Sequence, residues 1–218
     1  MKRTRDTIDP VPADLLWAAA CAAYRINNGY FKQPQVDGDT IVRPTNREIV
    51  HVALADSSMI TDADREMGQQ CRRHMASSVT MRALRAELGE WDKITARVCE
   101  LDTVTGNYDL SVITAMPQSY VRHLNKESVD ARLARCESEP MSVVGAKLDL
   151  QVEIVKSNYS AKFNTWFLSA ITECNHAVYF AYRETIDPGT CVAIRGTVKR
   201  HNGSATQLNR VKIVGDKE

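Results

Sequence analysis

Apolar positions along the chain change their spacing once, near residue 140. Before that point they recur every three to four residues, as on a helix with one buried face. Leu15, Ala18, Ala19, Ala22 and Ala23 make a small-residue face on a helix predicted over 13–26. Asp14 sits in its first turn, and Gly29, after Asn27-Asn28, suits its C-terminal cap. Residues 30–46 hold two prolines and Asp37-Gly38, so a loop or short hairpin is expected. Thr45 and Glu48 stand in capping-box spacing for a second helix. Helical patterning resumes at Thr61, with Asp64 suitably placed. It continues to about Cys71, pauses at Ser77-Ser78 and runs from Val79 to Leu88. Residues 91–101 form a further helix and Thr105-Gly106-Asn107 a turn. Pro117 suits the first turn of a long helix over 118–136.

After Glu137-Ser138-Glu139-Pro140 the period falls to two. Leu148, Leu150, Val152 and Ile154 alternate through a strand at 147–155, and further strands are expected at about 163–172 and 176–182. Residues 190–214 read as a hairpin. Val192, Ile194 and Val198 alternate with Ala193, Arg195, Thr197 and Lys199, Gly196 breaks the row as at a bend or bulge, and Asn202-Gly203 marks the turn. Leu208, Val211 and Ile213 do not alternate cleanly, which predicts a bulge near Asn209-Arg210. Five short strands in about seventy residues, without a long helix, predict a small closed or nearly closed barrel. The expected class is therefore α+β: a mainly helical region over 1–140, then a five-stranded OB-like β-barrel over 141–218.

Charge adds one asymmetry. The net charge is +1, but residues 142–214 hold nine Lys/Arg against five Asp/Glu, and no acid lies between Arg195 and Val214. A hairpin carrying Arg195, Lys199, Arg200, Arg210 and Lys212 is expected to meet an anion, or to serve as a soluble edge that resists pairing. Arg72, Arg73, Arg82 and Arg85 are expected on a helix face, either solvated or in contact with nucleic acid. Cysteines 21, 71, 99, 136, 174 and 191 show no C-x-x-C spacing and read as reduced thiols acting as small buried hydrophobes in a cytosolic protein. There is no membrane-spanning run. The N-terminus resembles a signal peptide until Asp6, Asp9, Pro10, Pro12 and Asp14 interrupt it, so export is not expected.

Gly145-Ala146-Lys147-Leu148, the Trp-Phe strand, Arg195-Gly196-Thr197-Val198-Lys199 and Thr206-Gln207-Leu208-Asn209-Arg210-Val211 resemble OB-fold segments of tailed-phage replication and DNA-binding proteins. The resemblance covers about seventy residues. The stretch from Tyr24 to Tyr30 and Met116-Pro117-Gln118-Ser119-Tyr120 resemble segments of phage proteins, which implies a viral origin and the host cytoplasm as location. The helix usual between the third and fourth strands of such folds has only residues 184–189 to occupy. The barrel is expected to be minimal or open there. OB-folds bind single strands or oligosaccharides across strands two and three, beside the loops joining strands one to two and four to five. Here those loops fall at 156–162 and 200–205.

Single-strand binding needs cations for phosphates and π-faces for bases. The cationic candidates are Lys156, Lys162, Lys199, Arg200, Arg210 and Lys212, and the stacking candidates are Tyr159, Trp166 and Tyr179. Alternation lets either Phe163/Phe167 or Trp166/Leu168 face inward, while Val178 and Phe180 point in and Tyr179 out. No Walker loop, G-x-S-x-G or H-E-x-x-H is present, so neither catalysis nor a cofactor or metal is expected. Glu173-Cys174-Asn175-His176 places a thiol near an imidazole but is not read as a catalytic pair, and Asp62, Asp64 and Glu66 read as a charged first helical turn. The leading expectation is a single-stranded DNA-binding protein of viral replication or transcription. Its helical region would oligomerise or recruit a phage polymerase. The chain ends Gly215-Asp216-Lys217-Glu218, without the acidic tail of some phage single-strand binders, which leaves room for a dedicated polymerase cofactor. The alternatives are a protein-only interaction adapter and, behind it, a hydrolase or nuclease subunit.

Overall fold

The computed structural model describes residues 7–214. Lys2, Arg3, Arg5 and Asp6 of the leader-like stretch, and the C-terminal Gly215-Asp216-Lys217-Glu218, lie outside the described residues. The chain forms two compact units, Met1–Leu124 and Asn125–Glu218.

In the first unit β1 (Thr7–Pro12) leads into α1 (Ala13–Asn27), and the hairpin β2 (Gln35–Asp37) and β3 (Thr40–Arg43) leads into α2 (Asn46–Ala55). Then come α3 (Asp62–Leu84), α4 (Glu90–Glu100), β4 (Thr103–Gly106) and the start of α5 (Asn107–Ala134). The unit is organised around α1. Every residue from Leu16 to Ala23 is buried, so the helix is covered on all sides and not only on its alanine face. At Gly68 of α3, an added Cβ would lie 2.9 Å from the Ala18 backbone nitrogen. The two helices therefore touch through their backbones. Asn28 takes the left-handed position that ends α1, and Gly29 follows it. Thr45/Glu48 and Thr61/Asp64 both close reciprocal capping boxes.

Several expectations in this unit are corrected. The helix expected to pause at Ser77-Ser78 is continuous, because Met75 and Val79, one turn apart, are both buried. It ends at Leu84, not Leu88, because Ala86 adopts φ 57 and donates back to Ala83 O. Thr105-Gly106 belongs to β4, which pairs antiparallel with β1. Pro10 and Pro12 concealed β1, yet proline is tolerated on the edge of a two-stranded ribbon.

Pro117 lies inside α5 rather than in its first turn. The ten preceding residues bury Leu110, Val112, Ile113 and Met116. At about 1.5–3 kcal/mol for each large side chain, that burial outweighs the roughly 3 kcal/mol cost of an interior proline.

The four arginines do not form one open face. Arg72 donates to Cys99 O, Leu101 O and Asp14 Oδ1 at 2.7–2.8 Å. Arg82 pairs with Asp92 at 2.9 Å. Arg73 and Arg85 remain exposed. Cys21, Cys71 and Cys99 are buried thiols, and burial pushes Cys21 up to about 12 and Cys99 to about 11. Cys174 and Cys191 are exposed, against expectation.

The second unit holds the end of α5 and five strands: β5 (Lys147–Ser160), β6 (Thr165–Thr172), β7 (Ala177–Tyr182), β8 (Cys191–Asn202) and β9 (Ala205–Ile213). They close a barrel in the order β5-β6-β7-β9-β8. Neighbours are antiparallel except β7 and β9, which run parallel. The fold is thus a helical region followed by a closed OB-like barrel. Val152, Ile154, Leu168, Ala170, Val178, Phe180, Ile194, Val198 and Leu208 form its core. No helix joins β7 to β8, yet the barrel does not open there. Gly189 N donates to Ile154 O at 2.7 Å, Ile154 N donates to Thr190 O at 2.9 Å, and Ile186 packs on the core.

In the β8–β9 hairpin the two turn residues are Gly203 and Ser204, since Asn202 pairs with Ala205. Gly203 alone takes a positive φ there, so the turn lies one residue later than Asn202-Gly203. The expected bulge is present. Arg195 pairs with Lys212 but Thr197 with Asn209, leaving Arg210 and Val211 opposite Gly196, with Arg210 at φ 50.

Candidate nucleic-acid interface

Strand register sorts the candidate residues by face. Along β6, Leu168, Ala170 and Thr172 are buried and Phe167, Ser169 and Ile171 alternate with them on the outside. On β7, Val178 and Phe180 point in, as expected, and Tyr179 points out, half-buried. Of the two arrangements open for β6, the one with Leu168 inward is found, with Trp166 on the same side. Phe167 and Phe163 are left facing solvent.

One row crosses the whole outer surface. Lys156 pairs with Ser169, Ser169 with Tyr179, Tyr179 with Gln207, and Gln207 with Arg200. Lys156 reaches this row because β5 carries an extra residue, Val155, between the Ile154–Ala170 and Lys156–Ser169 pairs. Gln207 fixes its neighbours: its Oε1 accepts from Tyr179 OH at 3.2 Å and from Arg200 Nε at 2.7 Å. The adjoining row is Asn158, Phe167 and Ala181. A small residue beside Phe167 leaves its ring open. Phe163, in the β5–β6 turn, meets Phe167 edge-to-face at 6.0 Å, and Lys162 Nζ stands 5.4 Å from the Phe163 ring centre. The outer face thus combines three π-systems with Lys156, Lys162 and Arg200, the pairing that single strands require.

Other candidates are placed elsewhere. Lys156 and Tyr159 belong to β5, not to a loop, because the strand continues to Ser160 and only residues 161–164 make the turn. Tyr159, 52% exposed, is in register with Trp166, and Trp166 with Tyr182, at the barrel's end. The Tyr159 and Trp166 rings lie 5.2 Å apart, and Tyr159 OH donates to Asn164 Oδ1 at 2.8 Å. Trp166 packs on the core and is not an outward stacking platform. Lys199 is exposed at a second irregularity in β8. Arg210 and Lys212 sit at the opposite end of β9 from Gln207, beside Arg183. Arg195 is paired with Asp149 at 2.6 Å, and both side chains are exposed. Beneath the end of α5, Glu153 accepts from both Arg132 Nη atoms, and these bonds hold its carboxyl below the usual range.

Sequence reasoning did not assign Phe163, Phe167 or Gln207 to the site. Alternation left the phenylalanines open, because Trp166-Phe167-Leu168 is apolar throughout. Gln207 carried no signal, because its role depends on the parallel pairing of β7 with β9. Cys174 and His176 lie in the β6–β7 turn, where His176 Nδ1 contacts Glu139 O at 3.2 Å. Among the described residues no cluster of three metal-ligating side chains is present, and no helix is long and apolar enough to cross a membrane. The chain matches no family model, no curated protein and no solved structure.

Proposed function

We propose that the barrel binds single-stranded DNA across the outward face of β6 and β7. The observation that carries this reading is the row Lys156–Ser169–Tyr179–Gln207–Arg200 beside the open rings of Phe163 and Phe167. Bases stack on Phe167, Phe163 and Tyr179, and Lys156, Lys162 and Arg200 neutralise phosphates. Such contacts barely distinguish one base from another, so sequence preference is weak. Within the viral setting that the resemblance implies, the protein serves DNA replication or transcription in the host cytoplasm as a polymerase cofactor.

The test is the salt dependence of oligothymidylate binding by the Lys156→Ala/Arg200→Ala variant. Each lost phosphate contact should flatten the log K against log salt slope by about 0.7. Unchanged affinity and slope in that variant would remove this face from the site.

The adapter reading draws support from the helical unit. Met81, Leu84, Leu88 and Trp91, in one stretch across the α3–α4 junction, are all exposed. Exposed apolar clusters of this kind suit protein contacts. This second reading would stand if oligonucleotides failed to bind while that stretch captured a partner.

A further inference from the structure

The barrel has a second cationic feature, which adjoins the outer face at Ala181 but shares none of its cations. β7 pairs with β9 over Val178 to Phe180 against Thr206 to Leu208. Beyond that pairing lies a cleft of about 600 Å³ lined by Arg183, Arg210 and Lys212 together with Tyr182, Val211 and Ile213. Among the described residues no acidic side chain lines it. Arg183 pairs with Glu184 at 3.0 Å, but both are largely exposed, and such a pair opens at little cost. Among the described residues Arg210 and Lys212 have no carboxylate partner.

The backbone supplies an independent observation. Arg210 is held at φ 50, a conformation that L side chains adopt at a cost and glycine does not. The bulge that holds it is accommodated by Gly196, where a Cβ would lie 3.2 Å from Val211 Cγ2 and 3.3 Å from Leu208 Cβ. A strained non-glycine residue lining a charged cleft directs attention to function there.

We propose that this cleft is a phosphate site for one nucleotide. Arg210 and Lys212 hold the phosphate, and Arg183 swings from Glu184 to join them. The volume is within the range of small-ligand pockets. The nucleotide is either one unit of a bound strand or a free mononucleotide, since both present the same phosphate chemistry. The proposal does not depend on the outer row, because none of Lys156, Phe167, Tyr179 or Arg200 lines the cleft.

The experiment is an NMR titration of the ¹⁵N-labelled full chain with thymidine 5′-monophosphate, thymidine and a short oligothymidylate. It is run on wild type, Arg210→Gly and Arg200→Ala. The monophosphate is expected to shift the amides of residues 181–183 and 210–213, and thymidine to leave them in place. Arg210→Gly is expected to keep or raise thermal stability by relieving the strained φ, while lowering affinity about tenfold, as loss of a charge-assisted contact implies.

A strand source is identified if only the oligothymidylate moves these amides and loses about the same factor on Arg210→Gly. The proposal is overturned if thymidine moves the amides as the monophosphate does, if no ligand moves them, or if Arg210→Gly binds as wild type. Oligothymidylate binding lost on Arg200→Ala but intact on Arg210→Gly would leave the outer-face reading standing and eliminate the cleft.

Discussion

Phe167 and Phe180 sit on neighbouring strands and face opposite ways, so truncating each should separate binding from stability. Phe180 is 1% exposed and lies in register with Leu168 inside the barrel. Phe180→Ala leaves a cavity among Leu168, Val178 and Leu208 and should cost about 3–5 kcal/mol. Phe167 is 39% exposed, in register with Ala181 on the outside. Burying a whole phenylalanine is worth at most about 3 kcal/mol, and Phe167 is only partly covered and leaves no enclosed cavity. Phe167→Ala should cost about 1 kcal/mol. Its loss of single-strand binding should be about 1–3 kcal/mol, one stacked base.

Hydrogen exchange of the β6 and β7 peptides reads the local stability. At 1.4 kcal/mol per factor of ten, Phe180→Ala should reduce protection by more than about a hundredfold and Phe167→Ala by less than about tenfold. Fluorescence anisotropy with oligothymidylate reads the binding. Full binding by Phe167→Ala with intact protection would refute the assignment of the outer face, whatever Phe180→Ala does.

Gly68→Ala should destabilise the helical unit by about 1–3 kcal/mol, because its Cβ meets the α1 backbone at Ala18 and Trp17. In an uncrowded helix the same change stabilises by about 1 kcal/mol, so the sign seen in urea unfolding decides whether the close approach exists. Asp64 gives a pH signature. Burial raises its carboxyl, but bonds from Arg25 and Thr61 outweigh that and hold it below 3.8. A carboxyl lowered on folding contributes stability that is fully present above the unfolded value and lost as pH falls through the folded one. The stability gap between wild type and Asp64→Asn should therefore be constant above about pH 5 and shrink below the ordinary 3.8. A gap unchanged down to pH 2 would contradict the ion pair.

What could be read from the sequence was what local pattern specifies. Thr45 with Glu48, Thr61 with Asp64 and the Gly196/Arg210 irregularity are signals a few residues long or pairs within one hairpin, and each appears in the structure. What misled was local evidence overridden by distant packing. Pro117 looked like a helix start because the burial of Leu110 and Ile113 is invisible along the chain. Arg72 looked solvated because its partners, Cys99, Leu101 and Asp14, lie 27 or more residues away.

The site was legible as a region but not as a face. Trp-Phe-Leu at 166–168 is apolar throughout, so alternation alone did not choose between Trp166 and Phe167. Register with β7 did, by setting Leu168 against Phe180. The row from Lys156 to Arg200 depends on the Val155 irregularity and on a parallel pair of strands distant in sequence. Neither leaves a mark in residue spacing.

The central claim is tested most directly by anisotropy titration of one sequence as single strand and as duplex, across graded salt. Duplex bases hide their faces from Phe163, Phe167 and Tyr179, so the single strand should bind more tightly. Its log K should fall with log salt at a slope of about −2, for the three phosphates met by Lys156, Lys162 and Arg200. Equal affinity for both forms, or no binding to either at low salt, would contradict the account.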